Sequence, residues 1–305
     1  MNVRRRPFGR TGRDISEIGF GCGGYWGYPV FPERDARALL DAALEHGVDL
    51  LDTGPNYSNG NAELRTGRLL AGRWAGLVVG TKVGTRRTSG GGVVKDFTPA
   101  GMQASLEQSL RNLGTDHVPL VQLHSPTLAE LTNEETLATL LSWKRKGLVS
   151  WLGVSSGPRE VARAIELGVF DCVMLTYNLL RSAPAAAVLE QAGPAGVAVI
   201  AKSPLGQALY SRSFLRVGSL SQLWYLARTL RHGPGPLLRA RRFAFLNDVE
   251  GWRATDIALR FVLDEPRVTA TVIGTTRLSH LAANLDVSNR PGLPAALRER
   301  IEKTS

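Results

Sequence analysis

The chain predicts an α/β fold, a closed (β/α)₈ TIM barrel with an N-terminal β-hairpin and long loops after strands 3 and 7. Three observations carry this. Eight short β-rich runs alternate with eight segments of helical period. The runs are almost continuously apolar, as strands of a parallel sheet buried on both faces must be. The third is negative: the early G-x-G, Gly21 to Gly23, runs into Trp26 and Pro29, where a doubly wound sheet would need a helix N-terminus. Eight βα units favour closure.

The elements follow in order. VRRRPFGRTGRDISE places turn residues between short runs and predicts the hairpin, capping the end of the barrel opposite the mouth. IGFGC is strand-like and 33–46 helical; VDLLDT precedes a helix over 62–71, and LVVGTK one over 99–113. VPLVQLH then leads to 134–146, LVSWLGVS to 158–167, FDCVML to 184–191 and VAVIAK to 252–263. VTATVIG and 278–285 complete the set, and the tail after Asn284 is short, which predicts an open pocket. Residues 85–97 read as a Gly-rich basic insertion with a flexible tip at Gly90–Gly92, which lacks the pattern of a phosphate loop. Residues 203–251 form a second insertion in which 222–230 is the clear helix. Both follow strands and so belong to the C-terminal face, where barrel sites lie. With no low-complexity linker, one domain over 1–305 is expected.

Composition narrows the function classes. Of the 305 residues, 43% are apolar and 21% charged, which is ordinary for a globular protein. The start MNVRRRPFG is basic with no apolar run behind it, so neither a secretory signal nor a membrane span is expected, and a cytoplasmic location is. Cys22 and Cys172 are too few for a disulfide scaffold or a zinc pattern, so no metal site is expected. Cys172 reads as core, and Cys22 lies near the mouth without an activating neighbour. The formal charge of +10 comes from dispersed arginines. The clusters Arg4–Arg6, Arg86–Arg87 and Arg239–Arg242 read as solvated surface, with phosphate contact as the alternative; nucleic acid is not an expected partner.

Three successive strands end in a polar residue after an apolar run: Asp52, Lys82 and His124. Each alone has an ordinary explanation as a helix cap, a solvated tip or a satisfied strand-end imidazole. In a barrel, however, the three converge on one mouth, and Tyr57 leaves the same strand as Asp52 and can fold back over it. Such a set suits carbonyl chemistry. Hydride delivered to a carbonyl leaves negative charge on oxygen that must be stabilised or protonated. A phenol is a poor acid at neutral pH unless a nearby ammonium stabilises its phenolate. Asp52 would orient Lys82, Tyr57 would act as general acid, and His124 would orient the carbonyl or share in proton transfer. Trp26, Tyr25 and Trp224 are candidates for lining a substrate pocket, Trp224 equally for packing its own insertion.

The stretches FGRTGRDISEIGFGCG, GVDLLDTGPNYSNGNAELRTGRLL, VVGTKVG, LVQLHSP, GLVSWLGVSS, YNLL, AKSPLG and VIGTTRLSHLAANL together resemble the aldo-keto reductase superfamily, in order and across nearly the whole chain. The resemblance implies a catalytic tetrad of Asp52, Tyr57, Lys82 and His124 acting on a small-molecule carbonyl, in a monomer or weak homo-oligomer. It implies a cofactor site for NADP(H), with NADH the alternative. That site would include Gly23, Gly24, Tyr25, Trp26 and Asp52, then Ser155 at the nicotinamide carboxamide. Ser156 stands where the family often has asparagine, and Met174 where it has glutamine. Lys202, Ser203, Pro204, Leu205 and Gln207 match the stretch under the pyrophosphate. Ile273, Gly274, Thr275, Thr276, Arg277, His280 and Asn284 match the adenosine end, where some members carry lysine at the place of Gly274 and arginine at that of His280. Arg277 fits either a phosphate partner or a solvated first-turn residue, and Tyr177 either the site or the core. Two other functions stay open: a cofactor-binding regulatory subunit similar to potassium-channel β-subunits, and a Schiff-base lyase using Lys82.

Overall fold

In the computed structural model, which describes residues 1–88, 90–211, 220–230 and 235–305, the eight apolar runs close into one parallel barrel. A hairpin of β1 (Arg5–Pro7) and β2 (Asp14–Ser16) leads into the first barrel strand, β3 (Ile18–Gly21). Around the barrel follow β4 (Leu50–Asp52), β5 (Val78–Val83), β8 (Val118–His124), β9 (Val149–Ser155), β10 (Cys172–Thr176), β11 (Ala198–Lys202) and β12 (Ala270–Ile273), which pairs back onto β3. The covering helices are α1 (Glu33–Glu45), α2 (Asn61–Leu70), α3 (Pro99–Leu113), α4 (Leu128–Leu131), α5 (Glu134–Arg145), α6 (Pro158–Glu166), α7 (Ala186–Ala192), α10 (Ala254–Leu263) and α11 (Leu278–Asp286). Among the described residues no helix is long and apolar enough to cross a membrane.

Strand periodicity sorts the side chains. Leu50, Val78, Leu120, Trp151, Cys172, Ala198 and Ala270 fill the inside of the barrel, with Phe8 and Ile15 of the hairpin region plugging its lower end. The alternate residues Leu51, Val79, Val121, Leu152, Val173 and Val199 face the helices. Two or four residues further up six of these seven columns stand Asp52, Lys82, His124, Ser155, Thr176 and Lys202, while the column of Ala270 continues to Val272. The barrel is thus apolar at its base and polar at its mouth.

The insertions carry more structure than their composition predicts. Residues 85–97 contain an antiparallel hairpin, β6 (Thr85–Arg87) against β7 (Val93–Lys95), in place of a plain loop. Its strands are too short to show alternation, and Lys95 anchors it by donating to Thr85 Oγ1 at 2.9 Å, to the His124 carbonyl and to the Ser125 carbonyl. Residues 203–251 contain α8 (Leu220–Leu230), as expected, and α9 (Gly235–Arg241), which was not; 212–219 and 231–234 of this insertion lie outside the described residues. The tail after Asn284 is likewise no bare terminus, because α12 (Ala295–Thr304) buries Ile301 in the outer core and Ser305 Oγ donates to the Leu179 carbonyl at 2.8 Å.

The expectation that Arg4–Arg6 is solvated surface holds for Arg4 and Arg5, which are exposed, and is corrected for Arg6. Arg6 pairs with buried Glu17 at 2.7 Å and donates to the carbonyls of Leu263, Glu265 and Val268, while Arg5 pairs with Asp49 at 2.7 Å. These contacts tie the hairpin to the barrel floor across long sequence separations, which composition could not reveal.

Glu63 on α2 is fully buried and accepts from Thr81 Oγ1 at 2.5 Å and Asn112 Nδ2 at 3.0 Å. Burial pushes its carboxyl above the ordinary range, against these hydrogen bonds. A carboxyl raised on folding stabilises below its unfolded pKa, and that stability is lost as pH rises through the folded value. Glu63→Gln should therefore match the wild type near pH 4 and exceed it in urea midpoint at pH 7. An advantage that is constant with pH would exclude this account.

Candidate active site

The loop leaving β4 makes the first wall. After Asp52 the chain turns through Gly54 and reaches Tyr57 at the start of a short 3₁₀ turn, Tyr57–Gly60, in which Ser58 and Asn59 are left-handed (φ 53° and 59°). Ser58 Oγ donates to the Gly24 carbonyl at 2.6 Å and Asn61 Nδ2 to Gly27, so this loop is locked to the one after β3. Gly23 is required by packing: a Cβ there would lie 2.8 Å from Tyr57 Cδ2. The six non-glycine residues with positive φ among those described, Ser58, Asn59, Ser125, Ser203, Gln207 and Ala208, all lie in loops leaving the C-terminal ends of barrel strands. Backbone strain held at one rim is typical of a functional face.

Lys82 is fully buried at the centre of this wall. Its Nζ donates to Asp52 Oδ1 and to the Thr53 carbonyl, both at 2.7 Å, and lies against Tyr57, 4.7 Å from its ring centroid. Burial opposes the charge, but the Asp52 carboxylate and Tyr57 outweigh it and hold Lys82 above the ordinary lysine range. This is a fixed cation, the reverse of the depressed, nucleophilic amine that a Schiff-base lyase needs. Gln122 Nε2 also donates to Asp52 Oδ1, at 3.2 Å. Sequence reading passed over Gln122, although it shares an inner column with His124.

His124 stands on the other side of Tyr57, ring centroids 6.1 Å apart and nearly perpendicular. Burial first, then the charges of Lys82, Lys95 and Lys202, push its imidazole down to about 3. It is neutral at physiological pH, and its Nδ1 is buried with no partner among the described residues. Lys95, reaching in from the hairpin 29 residues away, is a second participant that strand-end logic could not find.

The remaining expected residues divide. Ser155, pairing with His124 in the β8–β9 register, receives a hydrogen bond from Lys202 Nζ at 3.1 Å. Ser156 is buried beside it and, with Thr176, Arg181 and Arg239, lines a cleft of about 400 Å³. Ser203 and Gln207 are left-handed in the loop after β11, Pro204 and Leu205 lie between them, and Asn178 Nδ2 holds the Ser203 carbonyl at 2.8 Å. Ile273 and Asn284 are buried, Gly274 and His280 exposed; Thr275 Oγ1 accepts from Arg277 N at 3.2 Å, and Thr276 bonds Ser221 of α8 at 3.1 Å. Three residues sit away from the open mouth. Trp26 is 1% exposed, packs on Phe20 and donates to the Ala36 carbonyl, so its side chain is core. Met174 belongs to the inner barrel core, and Tyr177 stacks on Phe261 outside the strands. Tyr25 is mostly buried against Tyr28, Phe31 and Trp224, so Trp224 joins two mouth loops rather than packing only its own insertion. Cys22 is buried, and that burial pushes its thiol up to about 12, while Cys172 lies in the inner core.

Residues 17–304 match the model of the aldo/keto reductase family. The chain belongs to that family. As an aldo/keto reductase family oxidoreductase it is similar to the uncharacterized oxidoreductase YqkF of Bacillus subtilis (strain 168), 26% identical over 94% of this chain and 92% of the relative. It is 31% identical to the pyridoxine 4-dehydrogenase of Escherichia coli (strain K12) over 64% of this chain and 71% of that one. The holo form of aldo-keto reductase AKR11C1 from Bacillus halodurans superposes with a TM-score of 0.83 at 26% identity, covering 100% of this chain and 97% of the other. The barrel thus agrees with the expectation drawn from the strand rhythm, and the family with the resemblance of the motif stretches.

Proposed function

We propose that this aldo/keto reductase reduces an aldehyde or ketone to the alcohol with NADPH, Tyr57 acting as general acid. The observation that carries this is the Tyr57–Lys82–Asp52 chain, in which a fully buried, charge-held ammonium contacts the phenol. The ammonium favours the phenolate that is left when Tyr57 gives its proton to the carbonyl oxygen. Asp52 keeps Lys82 charged and aimed. Neutral His124 has no second proton to give, so its role is to orient the carbonyl by a hydrogen bond. The pyridoxine 4-dehydrogenase relative supports an alcohol–carbonyl interconversion of this kind.

The mouth suits a phosphate-bearing dinucleotide. Ser155, Ser156, Thr275 and Thr276 supply hydroxyls, Lys202 and Arg277 supply positive charge, and among the described residues a Cβ on Gly274 would meet only the Gly21 carbonyl at 3.9 Å, which leaves backbone open to an approaching ligand. We assign Gly23, Gly24, Ser155, Ser156, Ser203, Leu205, Gln207 and 274–277 to holding it. The bound nicotinamide supplies the hydride. Ser203 and Gln207 are preset in left-handed geometry, so the loop needs little ordering on binding.

The test uses NADPH deuterated at the transferring position, with 4-nitrobenzaldehyde as acceptor. Deuterium should appear at the carbinol carbon of the product by mass spectrometry, at one label per alcohol. Consumption of NADPH without label transfer, or no consumption across aldehydes, ketosugars and quinones, would refute reductase function.

A further inference from the structure

The hairpin β6–β7 bridges the two loops that carry Tyr57 and His124. It starts at Thr85, just past Lys82, and its register brings Lys95 back beside Thr85. Thr85 is 5% exposed, and its carbonyl accepts from Asn56 Nδ2, next to Tyr57, at 2.8 Å. Its hydroxyl donates to the His124 carbonyl at 3.3 Å and accepts from Lys95 Nζ at 2.9 Å. The Lys95 ammonium donates as well to the His124 carbonyl and, at 3.3 Å, to that of Ser125. On the Tyr57 side, Arg87 Nη1 donates to Asn59 Oδ1 at 3.3 Å.

The acceptors of Lys95 are all neutral oxygens, and it makes no ion pair among the described residues. A lysine ammonium is strongly hydrated on a flexible stem, so an exposed one ordinarily stays in water. Lys95 is an exposed residue whose ammonium is tucked against the end of β8; that desolvation, opposed by Glu130 of α4, holds it below the ordinary lysine range. Ser125, one of the residues so held, is left-handed (φ 54°), a conformation that persists only where surrounding contacts enforce it. The groups that bear on the His124 imidazole are Lys82 from β5, Lys95 from β7, Lys202 from β11 and the Tyr57 ring from the loop after β4.

We propose that Lys95, braced by Thr85, is a positioning residue for His124: it fixes the end of β8 so that the imidazole presents the substrate carbonyl to Tyr57. This rests on the reductase function proposed above. Lys95 touches neither substrate nor cofactor in this role and acts through the main chain of His124 and Ser125. The rings of Tyr57 and His124 are 6.1 Å apart, and a carbonyl oxygen between them must meet both. A shift of about 1 Å in one of them is enough to lose a productive alignment.

The experiment measures reduction of 4-nitrobenzaldehyde by Lys95→Met and Thr85→Val, each alone and combined with His124→Ala, and follows the histidine ring signals by NMR. Lys95→Met should lower kcat/KM by about 10- to 100-fold and leave NADPH affinity by fluorescence titration unchanged. In the His124→Ala background the same substitution should cost no more than about twofold. Thr85→Val, which removes a hydroxyl and keeps the shape, should show the same dependence on His124. The His124 signal, identified by its absence in His124→Ala, should titrate at higher pH in Lys95→Met than in the wild type, because one of the cations that push the imidazole down is gone. An unchanged kcat/KM overturns the proposal. So do equal losses with and without His124, which would place the effect on Tyr57 or on the fold at large. No turnover in any of the proteins, with the His124 signal still moved by Lys95→Met, would uphold the hold on His124 and refute the reductase function; full turnover with an unmoved signal would do the reverse.

Discussion

Tyr57→Phe should lower kcat for reduction of 4-nitrobenzaldehyde by about 100- to 10,000-fold, the usual size of a lost general acid. The substitution removes one hydroxyl and leaves the ring, whose faces pack on Gly23 and Gly54, so the loop should keep its place. NADPH affinity, measured by fluorescence titration, should stay within about twofold, because no part of the assigned cofactor cradle depends on the phenol. The loss should therefore fall on kcat rather than KM. Turnover within threefold of wild type would mean that the proton comes from elsewhere. His124 is a poor substitute source, since its imidazole at about 3 carries no proton to spare near pH 7.

Lys82→Met should cost both stability and activity. Asp52 is 7% exposed and would keep only the 3.2 Å bond from Gln122, while the Thr53 carbonyl would lose its donor. Removing one partner of a buried ion pair typically costs about 3–5 kcal/mol because the other charge is left uncompensated. The shift should be visible as a lower urea midpoint at unchanged m-value. Adding Asp52→Asn removes the stranded charge, so the double variant should regain part of the stability and none of the activity. A single variant as stable as the wild type would show that Asp52 is solvated or protonated once Lys82 is gone, contrary to the burial seen here.

The two variants probe different levels of legibility. Asp52, Lys82 and His124 stood out because each is polar at the end of an apolar run, and a closed barrel brings such ends together. Gln122 was equally accessible through its alternation with Leu120 and His124. Lys95 was not, because a three-residue strand in a Gly-rich insertion shows no periodicity, and its reach to His124 exists only once β6 and β7 pair. Trp26 misled for the opposite reason: it follows two glycines at the mouth, yet its indole turns inward to the Ala36 carbonyl. Arg6 looked like surface because its partner, Glu17, is assigned by the hairpin's docking rather than by nearby sequence. The helix α12 and the hairpin β6–β7 share this character, since both are held by contacts with distant parts of the chain.

By itself the sequence determined the alternation of strands and helices, and with it the polar residues Asp52, Lys82 and His124 at the heads of three inner columns. Period two and period 3.6 are local properties, and a buried parallel strand must be apolar whatever surrounds it. Only the tertiary structure decided which charges face one another. It held Lys82 as a cation beside Asp52 and left His124 neutral and Lys202, among the described residues, without an ion-pair partner, although all three end similar strands. Their difference is set by desolvation and by Coulomb interaction with groups 25 to 150 residues away, from Tyr57 against Lys82 to Asp52 against Lys202, quantities that depend on distance in space and have no signature along the chain.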